Sequence, residues 1–155
     1  MKIPEAVENI LEKEHFVVVS SAESNKTIHT SAKGVIEVDP KGRIFMLDLY
    51  KGKTYVNIRK NPHVTLTVIN ERGFRGYSIK GRAKIVKKET LSKKTLTLWN
   101  EKLAKRIARR IISHVKDQRA EHEAIPEASF PFPKYLIEVF VDKIVDLAPR
   151  KLESG

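Results

Sequence analysis

Six short segments with the residue pattern of β-strands limit the folds open to this chain more than any other feature. They cover residues 16–21, 27–38, 43–49, 63–70, 76–87 and 135–147. In the fourth segment, Val64, Leu66 and Val68 recur at the period of two that places side chains on one face of a strand. Strong turn sequences stand at 39–42 and 71–73. Because a closed sheet has no exposed edges, six such strands favour a small antiparallel β-barrel.

Three other segments have helical patterns. Residues 4–13 carry apolar side chains at spacings of three and four, and Pro4 stands at the start, where its missing amide is harmless. Residues 54–60 form a short predicted helix, which the Asn-Pro pair at 61–62 ends. A long basic helix is predicted at about 89–118.

Length and composition bound the class of protein. With 155 residues, 41% of them apolar, the chain can fill one core, so we predict a single domain over 1–148 and a C-terminal tail at 149–155. The absence of cysteine excludes disulfides, thiolate catalysis and cysteine-bound zinc. Apolar runs reach four residues, whereas a membrane span needs about 20, and the first residues do not read as a signal peptide. We therefore expect a cytoplasmic protein without a membrane partner.

The most informative stretch is the predicted strand–turn–helix junction at residues 51–54, Lys-Gly-Lys-Thr. The first amides of a helix have no partner within it and carry partial positive charge. Two lysines and a threonine hydroxyl stand at the same end, so charge, hydroxyl and amides converge as a phosphate monoester requires. The alternative is a capped helix with solvated lysines. The stretch is not a P-loop, because the upstream glycine and its spacing are missing.

A longer pattern, Lys-x-x-x-Asn-Ile-x-x-Asn-Pro, surrounds this junction. Its members are Lys53, Asn57, Ile58, Asn61 and Pro62. The pattern resembles that of the FMN-binding split barrels related to pyridoxamine 5'-phosphate oxidase, and the likeness extends over roughly 3–87 and the strand at 135–147. It implies a mainly β fold with helices: a six-stranded antiparallel split β-barrel with a short N-terminal helix and one long basic helix.

The resemblance also implies a set of FMN-binding residues. The residues that hold the flavin phosphate would be Lys51, Lys53 and Thr54. The residues of the second strand that line the ribityl chain and ring edge would be Thr30, Ser31 and Ala32. The residues that offer backbone groups to the isoalloxazine ring, at the end of the third strand, would be Leu47, Asp48, Leu49 and Tyr50.

The same resemblance implies a homodimer with flavin at the subunit interface. The function would be that of a flavin-dependent oxidoreductase or electron carrier, acting on a small-molecule substrate or redox partner. The arginine-rich substrate site and longer C-terminal segment of the oxidases themselves have no clear counterpart, so oxidase activity is not implied. No residue is nominated as a catalytic acid or base. The choice between FMN, a deazaflavin and haem stays open.

Other chemistry has little support in the sequence. The five histidines lack the spacing of metal ligands, so no metal site is expected, and no Gly-x-Ser-x-Gly elbow is present for a hydrolase. The long helix has an apolar stripe with spacings of three and four. Its members are Leu96, Trp99, Leu103, Ile107 and Ile111. This stripe predicts the face that docks on the barrel or on a partner subunit.

The charge of the long helix supports a second hypothesis. The chain carries a net charge of +11, and residues 93–119 hold nine basic against two acidic residues, or +7 of that total. Such a helix is an alternative binding module for nucleic acid or another polyanion. The other interpretation is a solvated face, and aromatic residues that could stack on bases are not interleaved along it.

Overall fold

The protein forms a closed β-barrel of six antiparallel strands in the order β1-β2-β3-β6-β5-β4. The structure is a computed structural model that describes residues 1–48, 51–87, 90, 92–116 and 135–149. The strands are β1 (Phe16–Ala22), β2 (Ile28–Asp39), β3 (Arg43–Asp48), β4 (His63–Asn70), β5 (Arg75–Lys87) and β6 (Tyr135–Asp146). Pairing of β1 with β4 closes the barrel, so each strand has a neighbour on both sides. The predicted six-stranded antiparallel barrel is confirmed.

The period-two pattern of the sequence places one face of each strand inside. In β1, Val17 and Val19 are fully buried, whereas Phe16 and Val18 are exposed. The interior is filled mainly by branched aliphatic side chains, whose burial drives the closure. Among its members are Val35, Ile44, Met46, Leu66, Ile79, Ile137 and Val139.

Two helices close the two ends of the barrel. Helix α1 (Glu5–Glu14) begins after Pro4 and lies at the end where β1 starts. Helix α2 (Lys53–Lys60) begins after Gly52 and lies at the opposite end, where β1 finishes and β6 starts. The short predicted helices at 4–13 and 54–60 are therefore confirmed within one residue at each end.

The third helix, α3 (Lys93–Lys116), packs against the outer side of the barrel. Trp99 is buried there in a second apolar cluster with Ile36, Leu47 and Leu136. Its ring lies 3.8 Å from the position that a Cβ on Gly34 would occupy. The predicted docking role of the stripe is thus confirmed at Trp99.

One detail of the sequence prediction is wrong. The long helix begins at Lys93 rather than at 89, because Thr90 Oγ1 donates to the carbonyl of Lys87 at 2.7 Å and forms a turn after β5. The predicted end of the helix at 118 and residues 150–155 of the predicted tail lie outside the described residues.

Candidate functional site at the α2 end of the barrel

Among the residues that the structure describes, no side chain caps the start of α2. Gly52 occupies the N-cap position in an extended conformation, and an added Cβ there would meet no atom within 4 Å. No acidic residue stands in the first turn, and the last turn carries Arg59 and Lys60. The first amides of α2 therefore have no partner inside the helix, which favours an anion at this point.

Two polar pairs fix α2 to the barrel wall. The hydroxyls of Ser31 and Thr54 lie 2.8 Å apart, and Thr54 is buried. One helical turn later, Asn57 Nδ2 donates to Ser21 Oγ at 3.1 Å, and both residues are buried. Since one hydroxyl of the Ser31–Thr54 pair donates to the other, the pair keeps one hydrogen for another acceptor. The structure thus brings together two predicted site residues that are 23 positions apart in sequence.

The two predicted phosphate lysines flank the start of α2 but have different partners. Lys53 Nζ lies 3.1 Å from Glu23 Oε1, and its side chain is 70% exposed. A hydrogen bond from Thr27, followed by that from Lys53, lowers the pKa of Glu23 below its ordinary value. Lys51 Nζ instead lies 5.2 Å from the centre of the Tyr55 ring. Their amines are not gathered at one point in this structure.

The predicted flavin-lining residues of β2 lie on two faces of the strand. Ser31 faces α2, whereas Thr30 and Ala32 are exposed on the outer surface. Strand alternation accounts for this division. On the neighbouring strand, Phe16 and Val18 are 50% and 38% exposed on that same surface. The outer surface around Thr30 and Ala32 is consequently apolar in part.

Of the four residues at the end of β3 that are predicted to offer backbone groups to the ring, the structure describes Leu47 and Asp48. Leu47 has cross-strand partners on both sides, and its side chain lies in the cluster beneath Trp99. The Asp48 side chain points into the barrel and is almost fully buried. Leu49 and Tyr50 lie outside the described residues.

Sequence reasoning missed a buried polar row beneath α2. Lys33 Nζ lies 2.8 Å from Asp48 Oδ1, and Tyr135 donates its hydroxyl to Asp48 Oδ2. Burial, and then the hydrogen bond to Asp48, raises the pKa of Tyr135 above its ordinary value. The available signal was the alternation of β2, which places Lys33 on the same face as Ser31 and Val35.

The cations of α3 also have partners that the sequence did not reveal. Lys94 Nζ lies 3.3 Å from Glu37 Oε1, and Lys102 Nζ donates to the carbonyl of Val35 at 2.8 Å. Arg109 Nη1 lies 3.0 Å from His15 Nε2. Two basic side chains of α3 therefore contact β2, and a third contacts His15 at the end of α1. These contacts support a role for part of the positive charge of α3 in docking the helix on the barrel.

Within residues 1–48, 51–87, 90, 92–116 and 135–149, no group of three acidic or histidine side chains could hold a metal ion. The helices of that same part of the chain include none with the length and apolar character of a bilayer span.

Comparison with known families agrees with this fold. The sequence model of the pyridoxamine 5'-phosphate oxidase family matches residues 3–130. The chain therefore belongs to this family, as the resemblance of its Lys53 pattern indicates. A search of curated proteins finds no match.

Solved structures share the fold at low sequence identity. HupZ of Group A Streptococcus is 14% identical, with a TM-score of 0.61 and coverage of 94% of each chain. An F420 reductase is 17% identical, with a TM-score of 0.58 and coverage of 92% of this chain and 98% of the other. An FMN-binding protein of Syntrophomonas wolfei is 10% identical, with a TM-score of 0.57 and coverage of 93% and 85%. These similarities establish the fold alone.

Proposed function

We propose that this protein binds FMN and acts as a flavin-dependent oxidoreductase or electron carrier. The observation that carries the proposal is the open first turn of α2, which begins after Gly52 beside the Ser31–Thr54 hydroxyl pair. Lys51 and Lys53 stand on either side of Gly52 in the sequence. Two proteins of the same fold are named for an FMN-binding function and an F420 reductase function. F420 is a deazaflavin, so both names point to the same class of cofactor.

The phosphate would bind at the first turn of α2. Its oxygens would accept hydrogen bonds from the free amides of that turn and from the remaining hydrogen of the hydroxyl pair. Lys53 would exchange Glu23 for the phosphate, because an exposed ion pair contributes little stability and a dianion offers stronger hydrogen bonds. Lys51, on the other side of Gly52, would supply a second positive charge to the phosphate.

The ring and ribityl chain would lie along the outer surface of β2 at Thr30 and Ala32. We infer a homodimer from the apolar side chains exposed beside them, namely Phe16, Val18 and Ile28. A second copy of the chain would cover this surface and complete each flavin site. Backbone contacts to the isoalloxazine ring would come from the end of β3 and the residues after it, namely Leu47, Asp48, Leu49 and Tyr50. The flavin supplies hydride or electron transfer when bound, and this chain orients it and excludes water.

The direct test is to identify the small molecule that the purified protein retains. We expect yellow protein, with flavin absorbance and release of FMN on denaturation, measured by mass spectrometry. Release of a deazaflavin would contradict the choice of FMN within this class of cofactor, and release of haem or failure to bind added FMN would contradict the proposal as a whole.

The role of Lys53 is tested with a matched variant from the same helix. Lys53→Ala should weaken FMN binding about tenfold, since a hydrogen bond to a charged group is lost. Lys60→Ala removes an exposed lysine at the other end of α2 and should leave the affinity unchanged. Equal effects of the two substitutions, measured by FMN fluorescence titration, would remove Lys53 from the site.

A further inference from the structure

A row of three polar side chains, two buried and one half-buried, crosses three adjacent strands under α2. Asp48 of β3 is paired with Tyr135 of β6, and Lys33 of β2 lies on its other side. The side chains of Lys33 and Asp48 are 14% and 2% exposed, and Tyr135 is buried. The carboxylate accepts from both neighbours, so the Tyr135 ring is fixed in the barrel mouth by a charge-assisted hydrogen bond.

The row continues into α2 through an aromatic contact. The rings of Tyr55 and Tyr135 lie 4.9 Å apart at 64°, an edge-to-face arrangement. Tyr55 is the third residue of α2, and Lys51 and Arg59 lie over its ring, with Arg59 5.7 Å from the ring centre. A continuous path therefore joins the buried Asp48 carboxylate to a cation at the start of the helix.

The remaining polar contacts hold a different part of α2. Thr54 and Asn57 bind β2 and β1 through Ser31 and Ser21. Tyr55, by contrast, reaches toward β6. Helix α2 is therefore held from both sides of the barrel mouth, by β1 and β2 on one side and by β6 on the other. These contacts together fix the direction of its first turn.

We propose that Tyr135, held by Asp48 and Lys33, is a positioning residue for the first turn of α2. It acts through Tyr55, whose ring contacts the Lys51 amine. The part of this inference that concerns a ligand rests on the proposed function, because FMN phosphate is the group that the oriented turn would bind.

Hydrogen exchange of the protein without added FMN tests the positioning role independently of any ligand. Tyr135→Phe keeps the ring and removes the hydroxyl. We expect about tenfold faster exchange in α2, at amides such as Val56 and Asn61, and little change at His15, the amide that ends α1. Tyr77→Phe, a half-buried tyrosine of β5, serves as the matched control and should leave α2 unchanged. Equal acceleration at both ends, or none, would overturn the inference.

FMN affinity supplies the second readout. At a temperature where both proteins are folded, Tyr135→Phe should raise the dissociation constant of FMN about fivefold to tenfold, and most of this effect should vanish in a Tyr55→Leu background. If α2 loosens while FMN affinity is unchanged, the positioning role for the ligand is wrong. If the wild-type protein does not bind FMN, the proposed function fails, and the exchange result alone decides whether Tyr135 orders α2.

A second variant covers the case in which Tyr135→Phe does not fold. Tyr55→Leu removes the other ring of the Tyr55–Tyr135 contact and leaves Lys33, Asp48 and Tyr135 in place. It should accelerate exchange in α2 selectively, as Tyr135→Phe is expected to do. Unchanged exchange in Tyr55→Leu would show that the aromatic contact does not order the helix.

Discussion

The two ends of the barrel are closed by short helices of opposite chemistry. Helix α1 buries Val7, Ile10 and Leu11, all apolar. Helix α2 buries one aliphatic side chain, Ile58, together with Thr54 and Asn57. Beneath α1 the barrel is filled with hydrocarbon, whereas beneath α2 it contains a lysine, a carboxylate and a tyrosine hydroxyl.

The difference between the two ends supports the α2 end as the proposed binding site. Closing a barrel requires only the burial of apolar surface, and α1 does this. Buried polar groups cost free energy unless each has a hydrogen-bond partner. Polar side chains under α2 therefore offer no advantage over apolar ones for closing the barrel. The α2 end keeps its polar groups next to an uncapped helix start, as expected for the end that receives a polar ligand.

The largest expected effect comes from breaking the polar row. Lys33→Met removes the cation that lies 2.8 Å from the buried Asp48 carboxylate, and losing one partner of a buried ion pair costs about 3–5 kcal/mol of unfolding free energy. Denaturant unfolding measures this loss. A loss no larger than that of an exposed lysine substitution, such as Lys60→Ala, would show that the row is not a stabilising part of this end.

A core deletion at the α1 end should separate stability from binding. Leu11→Ala removes a fully buried side chain and should cost about 2–5 kcal/mol of unfolding free energy. Because α1 is at the other end from the proposed site, FMN affinity of the folded variant should be unchanged. A loss of FMN affinity alongside the loss of stability would contradict the assignment of binding to the α2 end alone.

The pH dependence of stability should also differ between the ends. The pKa of Tyr135 is raised in the folded protein, so folding favours its neutral form. Its contribution is therefore complete below the ordinary tyrosine pKa near 10 and is lost as the pH rises above that value. Wild type should lose its stability advantage over Tyr135→Phe in alkaline solution. A difference that stays constant above pH 10 would disprove the linkage.

A smaller effect is expected on the outer side of the barrel. Lys102→Met keeps the apolar stem and removes the hydrogen bond to the Val35 carbonyl, so α3 should be destabilised by about 1 kcal/mol. Salt-dependent binding of DNA tests the rival function of this helix. If Lys102→Met loosens α3 and DNA affinity is absent, the basic helix serves docking; strong DNA binding with a steep salt dependence would favour the polyanion hypothesis.

The sequence predicted most of the fold because its patterns are local. Period-two alternation located the strands, and Pro4, Gly52 and Pro62 marked the ends of the two short helices. The start of α3 was missed because Thr90 makes a local turn that the helical pattern of the following residues hides.

The site was predicted less completely because its contacts are long-range. Lys53 and Thr54 could be proposed from a local strand–turn–helix pattern. The Asp48–Tyr135 contact joins residues 87 positions apart and depends on the register of β3 against β6, which no local pattern encodes. The partner of Lys53, Glu23, was missed for the same reason.

Gly52→Asp is the sharpest test of whether an anion binds the uncapped start of α2. The backbone at Gly52 suits any residue and the surrounding space is open, so the new carboxylate can cap α2 without disturbing the fold. Gly52→Ala is the uncharged control. We expect Gly52→Asp to lose FMN affinity on the order of 100-fold through like-charge repulsion, whereas Gly52→Ala should bind FMN as the wild type does. Undiminished FMN binding by folded Gly52→Asp protein would contradict this expectation.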